Sequence, residues 1–192
     1  MKVAIVISST RPTRKGPNVG RWVLEQASTR SDASFDLVDL AEVDLPFLSE
    51  PKAAAFGPPY SQEKTRAWSK TIAGYDGFVF VVPEYTPSVP APLKNALDHL
   101  YSEWHDKAAG FVSYGLDNGV RAVEHLRGIL SELGMAHVGP TVGLSLADVG
   151  DGTVAENEGH VSSLDAMLDK LIAWSGALAR LRVASDDEDD RP

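Results

Sequence analysis

Five short apolar runs, each followed by a stretch with helical periodicity, limit what this chain can fold into more than any other feature. The runs lie at residues 3–7, 35–40, 77–82, 108–113 and 137–144. Runs of this length, rich in β-branched and aromatic residues, suit strands of a parallel sheet buried on both faces. Residues 77–82 are the most hydrophobic and are expected at the centre. Residues 35–40 alternate more, as an edge strand does. Helices are expected at about residues 18–29, 61–73, 92–104, 119–133 and 163–181, with Asn18 capping the first. Their apolar residues recur at steps of three and four, as in Leu93, Ala96, Leu97, Leu100, Tyr101 and Trp104. Strands alternating with helices imply an α/β sandwich, with right-handed crossovers and helices on both faces of a parallel sheet. Such sheets bind ligands outside the carboxyl ends of their strands, where the strand order reverses. The loops after the first, third and fourth runs are therefore where chemistry is sought.

Composition narrows the function classes. The 192 residues fit one domain, expected over residues 1–183, with an acidic and disordered tail at 184–192. Net charge is −9, of which −4 falls in residues 185–192. The mildly acidic remainder argues against a nucleic-acid partner. The absence of cysteine removes disulfides, thiolate metal sites and thiol nucleophiles. The opening apolar run is too short for a membrane span and lacks the parts of a signal peptide. A cytoplasmic location without membrane contact is the expectation.

Three loops carry the candidate chemistry. Residues 8–19 join a strand to a helix and offer hydroxyls, backbone N–H groups and the cations Arg11, Arg14 and Lys15. These are the parts of a phosphate site, since donors converge where the helix dipole favours an anion. A solvated basic turn would look the same. The Walker spacing is absent. Four prolines among residues 83–92 stiffen the second loop, which can set a fixed backbone edge and Tyr85 against a planar ring. The alternative is a passive connection. In the third loop, Gly115 and Gly119 permit unusual backbone angles and close approach of a ligand, whereas Asp117 and Asn118 suit turn and cap roles. Residues 44–60 form a proline-rich loop too long to be idle, suited to function or to an interface.

Taken together, Val6-Ile7-Ser8-Ser9-Thr10-Arg11-Pro12, then Pro83-Glu84-Tyr85, Ser88, Pro90, Leu93-Lys94-Asn95-Ala96 and Asp98, then Ser113-Tyr114-Gly115 and Gly119, resemble the NADPH-dependent FMN reductases of the flavodoxin-like superfamily. The resemblance spans about residues 2–182, and its middle motif is the most specific. It implies a flavodoxin-like sheet in the order 2-1-3-4-5, a non-covalent FMN, and hydride transfer from NADPH or NADH. It places the phosphate on Ser9, Thr10, Arg11, Gly16, Asn18 and Val19. It places the flavin ring along Pro83, Glu84, Tyr85 and Thr86, and the third loop at Ser113, Tyr114, Gly115 and Gly119. It also implies a homodimer or homotetramer, with the helix from Leu93 and the 44–60 loop as contact candidates. The electron acceptor would be a quinone, another small molecule or a partner enzyme. Two departures stand out: Ser8 replaces the usual Gly, and Thr86-Pro87 replace the usual Asn-Gly. Hydride transfer between stacked rings needs no protein acid or base, and no catalytic dyad stands out.

Weaker signals point elsewhere. Gly150–Ala155 matches Gly-x-Gly-x-x-Ala but follows the last strand, so it is taken as a loop. The segment 143–147 lacks the second glycine of a nucleophile elbow. His99, His105, His125, His137 and His160 show no metal spacing, so no metal ligands are assigned. The four tryptophans suit the core or an interface. A receiver domain would need acidic residues where Ser8 and Ser9 stand. A non-catalytic FMN-binding electron carrier or redox sensor is the alternative on the same fold.

Overall fold

The computed structural model describes residues 1–189, with side chains through residue 182. The elements are β1 (Lys2–Ile7), α1 (Gly16–Ala27), β2 (Ser34–Asp39), α2 (Leu40–Val43), α3 (Glu63–Ala73), β3 (Gly77–Pro83), α4 (Ala91–Asp98), β4 (Ala108–Gly115), α5 (Val120–Glu132), β5 (Ala136–Ser145) and α6 (Glu158–Asp189). The five strands form one parallel sheet in the order β2-β1-β3-β4-β5. This is the flavodoxin-like arrangement, with β3 at the centre and fully buried along its length.

The period-2 geometry of a strand divides each apolar run between two cores. Ala4, Val6, Phe78, Phe80, Val82 and Phe111 face α3, α4 and α5. Val3, Ile5, Val79, Val81 and Val112 face α1 and α6. The first core is aromatic: Trp104 meets Phe78 edge-on at 5.1 Å and Trp68 at 6.1 Å, a geometry that favours ring pairs. Trp22 is buried on the opposite face, whereas Trp174 stays half exposed.

Several boundaries differ from the sequence expectation. α1 begins at Gly16, and its cap position is Lys15 rather than Asn18. The amide of Asn18 is spent elsewhere, donating from Nδ2 to the Gly150 carbonyl at 3.0 Å. α4 stops at Asp98 instead of running to Trp104. The chain breaks at Tyr101 and re-enters as a single 3-10 turn, Ser102–Trp104. That turn buries Trp104, whose Nε1 donates to the Leu97 carbonyl at the end of α4. The short α2 was not expected; Asp39 caps it by accepting from Ala41 N at 3.0 Å. α6 starts earlier than predicted, where Asn157 Oδ1 accepts from His160 N, and runs to Asp189. Part of the tail expected to be disordered thus lies in a helix, and residues 190–192 lie outside the described residues.

Candidate active site

At the end of β1 the chain is sewn into the sheet. Ser8 donates from both N and Oγ to the Val81 carbonyl, at 3.2 and 2.7 Å. Ser9 is buried beside the first turn of α1. A Cβ on Gly16 would stand 2.4 Å from Ser9 Oγ and 2.9 Å from Ile7 Cγ2, so glycine alone lets the helix approach this closely. Val19, one turn on, is a core residue. Thr10 and Arg11 follow and are exposed. The three cations then separate. Arg14 donates from both terminal nitrogens to the Asp39 carboxylate, at 2.6 and 2.7 Å, and also to the Ser9 carbonyl. Lys15 pairs with Asp151. Arg11 places its guanidinium 5.8 Å from the centroid of the Tyr85 ring and, among the described residues, carries no ion pair.

The loop after β3 is held from below. Pro83 is the last residue of the strand and pairs with Tyr114 of β4. Glu84 N donates to the Tyr114 carbonyl at 3.0 Å. The Glu84 carboxylate turns inward, 6% exposed, to the start of α5. There it accepts from Arg121 Nε at 2.9 Å and from Arg121 N at 3.0 Å. The Arg121 guanidinium and the helix amides hold its pKa below the usual glutamate value. Tyr85 and Ser88 exchange two backbone hydrogen bonds, at 3.0 and 3.1 Å, and close a small hairpin. Its turn puts Thr86 at φ +44°. A β-branched residue is strained in that region, which Asn and Gly accept easily.

The loop after β4 is a tight turn. Ser113 Oγ donates to the Asn118 carbonyl at 2.7 Å, and Asn118 and Gly119 both take positive φ, 56° and 74°. A Cβ on Gly119 would lie 2.7 Å from that of Ser113. One on Gly115 would lie 3.2 Å from Glu84 Cβ. The Tyr114 ring is buried, with its hydroxyl 3.5 Å from Ser9 Oγ. Burial pushes its pKa up to about 12, so it is neutral at ordinary pH.

The model for the family of NADPH-dependent FMN reductases matches residues 1–148. The chain belongs to the NADPH-dependent FMN reductase family. An NAD(P)H-dependent FMN reductase of Schizosaccharomyces pombe is 40% identical over 142 residues, covering 73% of this chain and 70% of the relative. A 2-hydroxy-1,4-benzoquinone reductase of a Burkholderia species is 34% identical over 140 residues, covering 69% and 72%. Among solved structures, FerB, a flavoenzyme NAD(P)H:(acceptor) oxidoreductase from Paracoccus denitrificans, superposes with a TM-score of 0.71. It covers 92% of this chain and 97% of its own at 21% identity, a likeness of fold. Membership makes the chain an oxidoreductase of FMN and NADPH or NADH.

The residues present fit an FMN reductase. A phosphate suits hydroxyl donors, a helix N-terminus and a guanidinium without a carboxylate. The edge offers Thr10, the first turn of α1 and Arg11, over the buried hydroxyl of Ser9. Tyr85 stands beside Arg11, Thr86 follows it in the same turn, and Gly115 and Gly119 line the neighbouring turn. The side chains of Asn18, Glu84 and Ser113 are hydrogen-bonded to neighbouring elements, and those of Val19 and Tyr114 are buried. Sequence reasoning missed Asp39, Arg121 and Asp151, the carboxylates and cation that fix these loops. It also missed a cleft of about 460 Å³ on the β2 side of Thr10, walled by Leu40, Leu45, Pro46, Phe47, Pro92 and Ala96. Asn95 of the Leu-Lys-Asn-Ala motif pins that wall. Its Nδ2 donates to the Pro46 carbonyl at 2.8 Å, and its Oδ1 accepts from Leu48 N at 3.0 Å.

Proposed function

We propose that this family member binds FMN at the carboxyl edge of β1, β3 and β4, takes hydride from NADPH or NADH, and passes the electrons to a small acceptor of the quinone class. The observation that carries the reading is the convergence of the first two loops, with Arg11 of one over Tyr85 of the other. FMN supplies the two-electron chemistry; the protein binds, orients and tunes it. Arg11, Thr10, Ser9 and the first turn of α1 at Gly16 hold the phosphate. Pro83, Tyr85 and Thr86 form a wall for the ring, kept in place by Glu84 and Arg121. The backbone of Gly115 and Gly119, next to the start of α5, offers donors to a ring that gains negative charge on reduction. The quinone assignment leans on relatives such as the benzoquinone reductase.

A homodimer or homotetramer belongs to the same reading, since the 44–60 loop leaves Phe47 85% and Phe56 79% exposed. Among the described residues no helix is long and apolar enough to cross a membrane, and a cytoplasmic site of action is proposed. The test is an anaerobic titration of the FMN-loaded protein with NADPH and then NADH, following the visible flavin spectrum. Stoichiometric bleaching, reversed on adding a quinone, is expected. Bound flavin that neither nucleotide bleaches would replace the reductase with an electron carrier.

A further inference from the structure

The connection between β5 and α6 runs past residue 148, where the family match ends, and its tip lies across the first turn of α1. It is a built turn. Val149 is buried and bridges to Val154. Gly150 N donates to the Thr153 carbonyl at 3.0 Å, and Ala155 N to the Asp148 carbonyl at 2.7 Å. Both ends are rooted. Asp148 accepts from Ser145 N and Oγ at 2.8 and 2.6 Å. Glu156 accepts from Trp22 Nε1 at 2.6 Å and Gln26 Nε2 at 3.0 Å. The tip then makes two contacts with the phosphate loop. The Gly150 carbonyl accepts from Asn18 Nδ2 at 3.0 Å, and the Asp151 carboxylate, 97% exposed, pairs with Lys15.

Resting on the reading that the first turn of α1 takes the flavin phosphate, we propose that this strap is an internal counter-ligand for that phosphate. Asp151 and the Gly150 carbonyl occupy a cation and an amide at the loop's edge. A phosphate arriving there meets Asp151 as a like charge competing for Lys15 and for the positive end of the helix. Of the other cations on this turn, Arg14 is committed to Asp39, and Arg21 donates to Asn18 Oδ1 at 2.5 Å. Arg11, with no ion pair among the described residues, still attracts the phosphate, so Asp151 weakens that attraction without abolishing it. The strap therefore lowers the affinity for phosphate-bearing flavins and keeps the flavin exchangeable, while leaving flavins without phosphate untouched.

The experiment is equilibrium titration of the full chain by quenching of flavin fluorescence, with FMN and with riboflavin, at low and high salt. Asp151→Asn should bind FMN about 2- to 5-fold more tightly at low salt, the range an exposed ion pair commands. The gain should shrink as salt screens it, and riboflavin affinity should not change. Asp32→Asn removes the same charge beside Arg30 at the opposite edge of the sheet and should leave FMN affinity as it was. Unchanged or weaker FMN binding in Asp151→Asn, with Arg11→Ala still weakening it, overturns the strap and spares the phosphate reading. Equal tightening of riboflavin overturns the strap as well. If Arg11→Ala also leaves FMN affinity unchanged, the phosphate site itself is misplaced and the strap falls with it.

Discussion

Gly16→Ala adds one methyl group where α1 meets the end of β1. The new Cβ would sit 2.4 Å from Ser9 Oγ, 2.9 Å from Ile7 Cγ2 and 3.3 Å from Tyr114 Oη. None of these neighbours is the free end of a flexible chain. Ile7, Ser9 and Tyr114 are buried, and Arg14 holds the Ser9 carbonyl at 2.6 Å. The overlap can be relieved only by moving the first turn of α1 or the Ser9 segment. Overpacking of this kind costs about 1–3 kcal/mol, and the gain in helix propensity offsets at most about 1 kcal/mol of it. A net loss of about 1–2 kcal/mol lowers the melting temperature of a chain this size by about 2–8 °C. Gly128→Ala is the matched control. Gly128 lies within α5, and a Cβ there would meet nothing within 4 Å. The same substitution should therefore stabilise, by about 0.5–1 kcal/mol. Paired thermal and urea melts of the two variants without flavin decide the matter, with FMN titration alongside. FMN affinity should fall in Gly16→Ala, because the turn that moves carries Ser9 and leads to Arg11, and should hold in Gly128→Ala. A Gly16→Ala protein as stable as wild type, with unchanged FMN affinity, would refute the steric argument.

Two further outcomes follow from the framework around the site. Glu84→Gln keeps the shape but removes the charge that accepts from Arg121 and the start of α5, so a loss of about 1–2 kcal/mol is expected in urea unfolding at pH 7. Because the folded pKa of Glu84 is depressed, the wild-type advantage should be full above the unfolded glutamate pKa and fade as pH falls through the folded one; an advantage that does not vary between pH 7 and pH 3 would sink the assignment. Lys107 is 4% exposed and donates to the Ile72 carbonyl at 2.8 Å. Burial, with Arg182 nearby, brings its pKa down to about 8. Between that value and an unfolded pKa of about 10.4 the unfolded chain binds more protons at this group, so stability from it rises with pH. The wild-type minus Lys107→Met difference in unfolding free energy should climb across that interval, and a flat difference would show that the ammonium is not held down.

The strands were legible in the sequence because burial on both faces leaves an uninterrupted apolar run, and strand–helix alternation pointed to the sheet edge where the candidate site is sought. What stayed hidden was set by contacts between distant segments. The end of α4 depends on Trp104 turning back to the Leu97 carbonyl, although the apolar spacing continues unbroken through Leu100 and Tyr101. The start of α1 was misplaced because Asn18 has the chemistry of a cap, yet its partner lies 132 residues away, on the strap. Glu84 sits inside the most specific motif, yet the motif gives no sign that its carboxylate pairs with Arg121, 37 residues downstream. Periodicity reports which face of an element is buried. It carries no information on which loop end meets which.

The same limitation explains why counting charges overstated the phosphate loop. Three cations within five residues would repel one another if all faced one spot. The fold resolves this by supplying anions from other elements: Asp39 at the end of β2 takes Arg14, and Asp151 on the strap takes Lys15. Arg121, near the third loop, is likewise matched by Glu84 and Asp117. Each matched pair fixes a loop and adds almost nothing to the net field. Arg11, set over an aromatic ring rather than a carboxylate, keeps its charge available, and that ring belongs to the loop expected to carry the flavin. The edge is therefore rigid where charges are paired and attractive to an anion where one is not. Both properties come from the placement of carboxylates, which a residue count at the loop itself does not register.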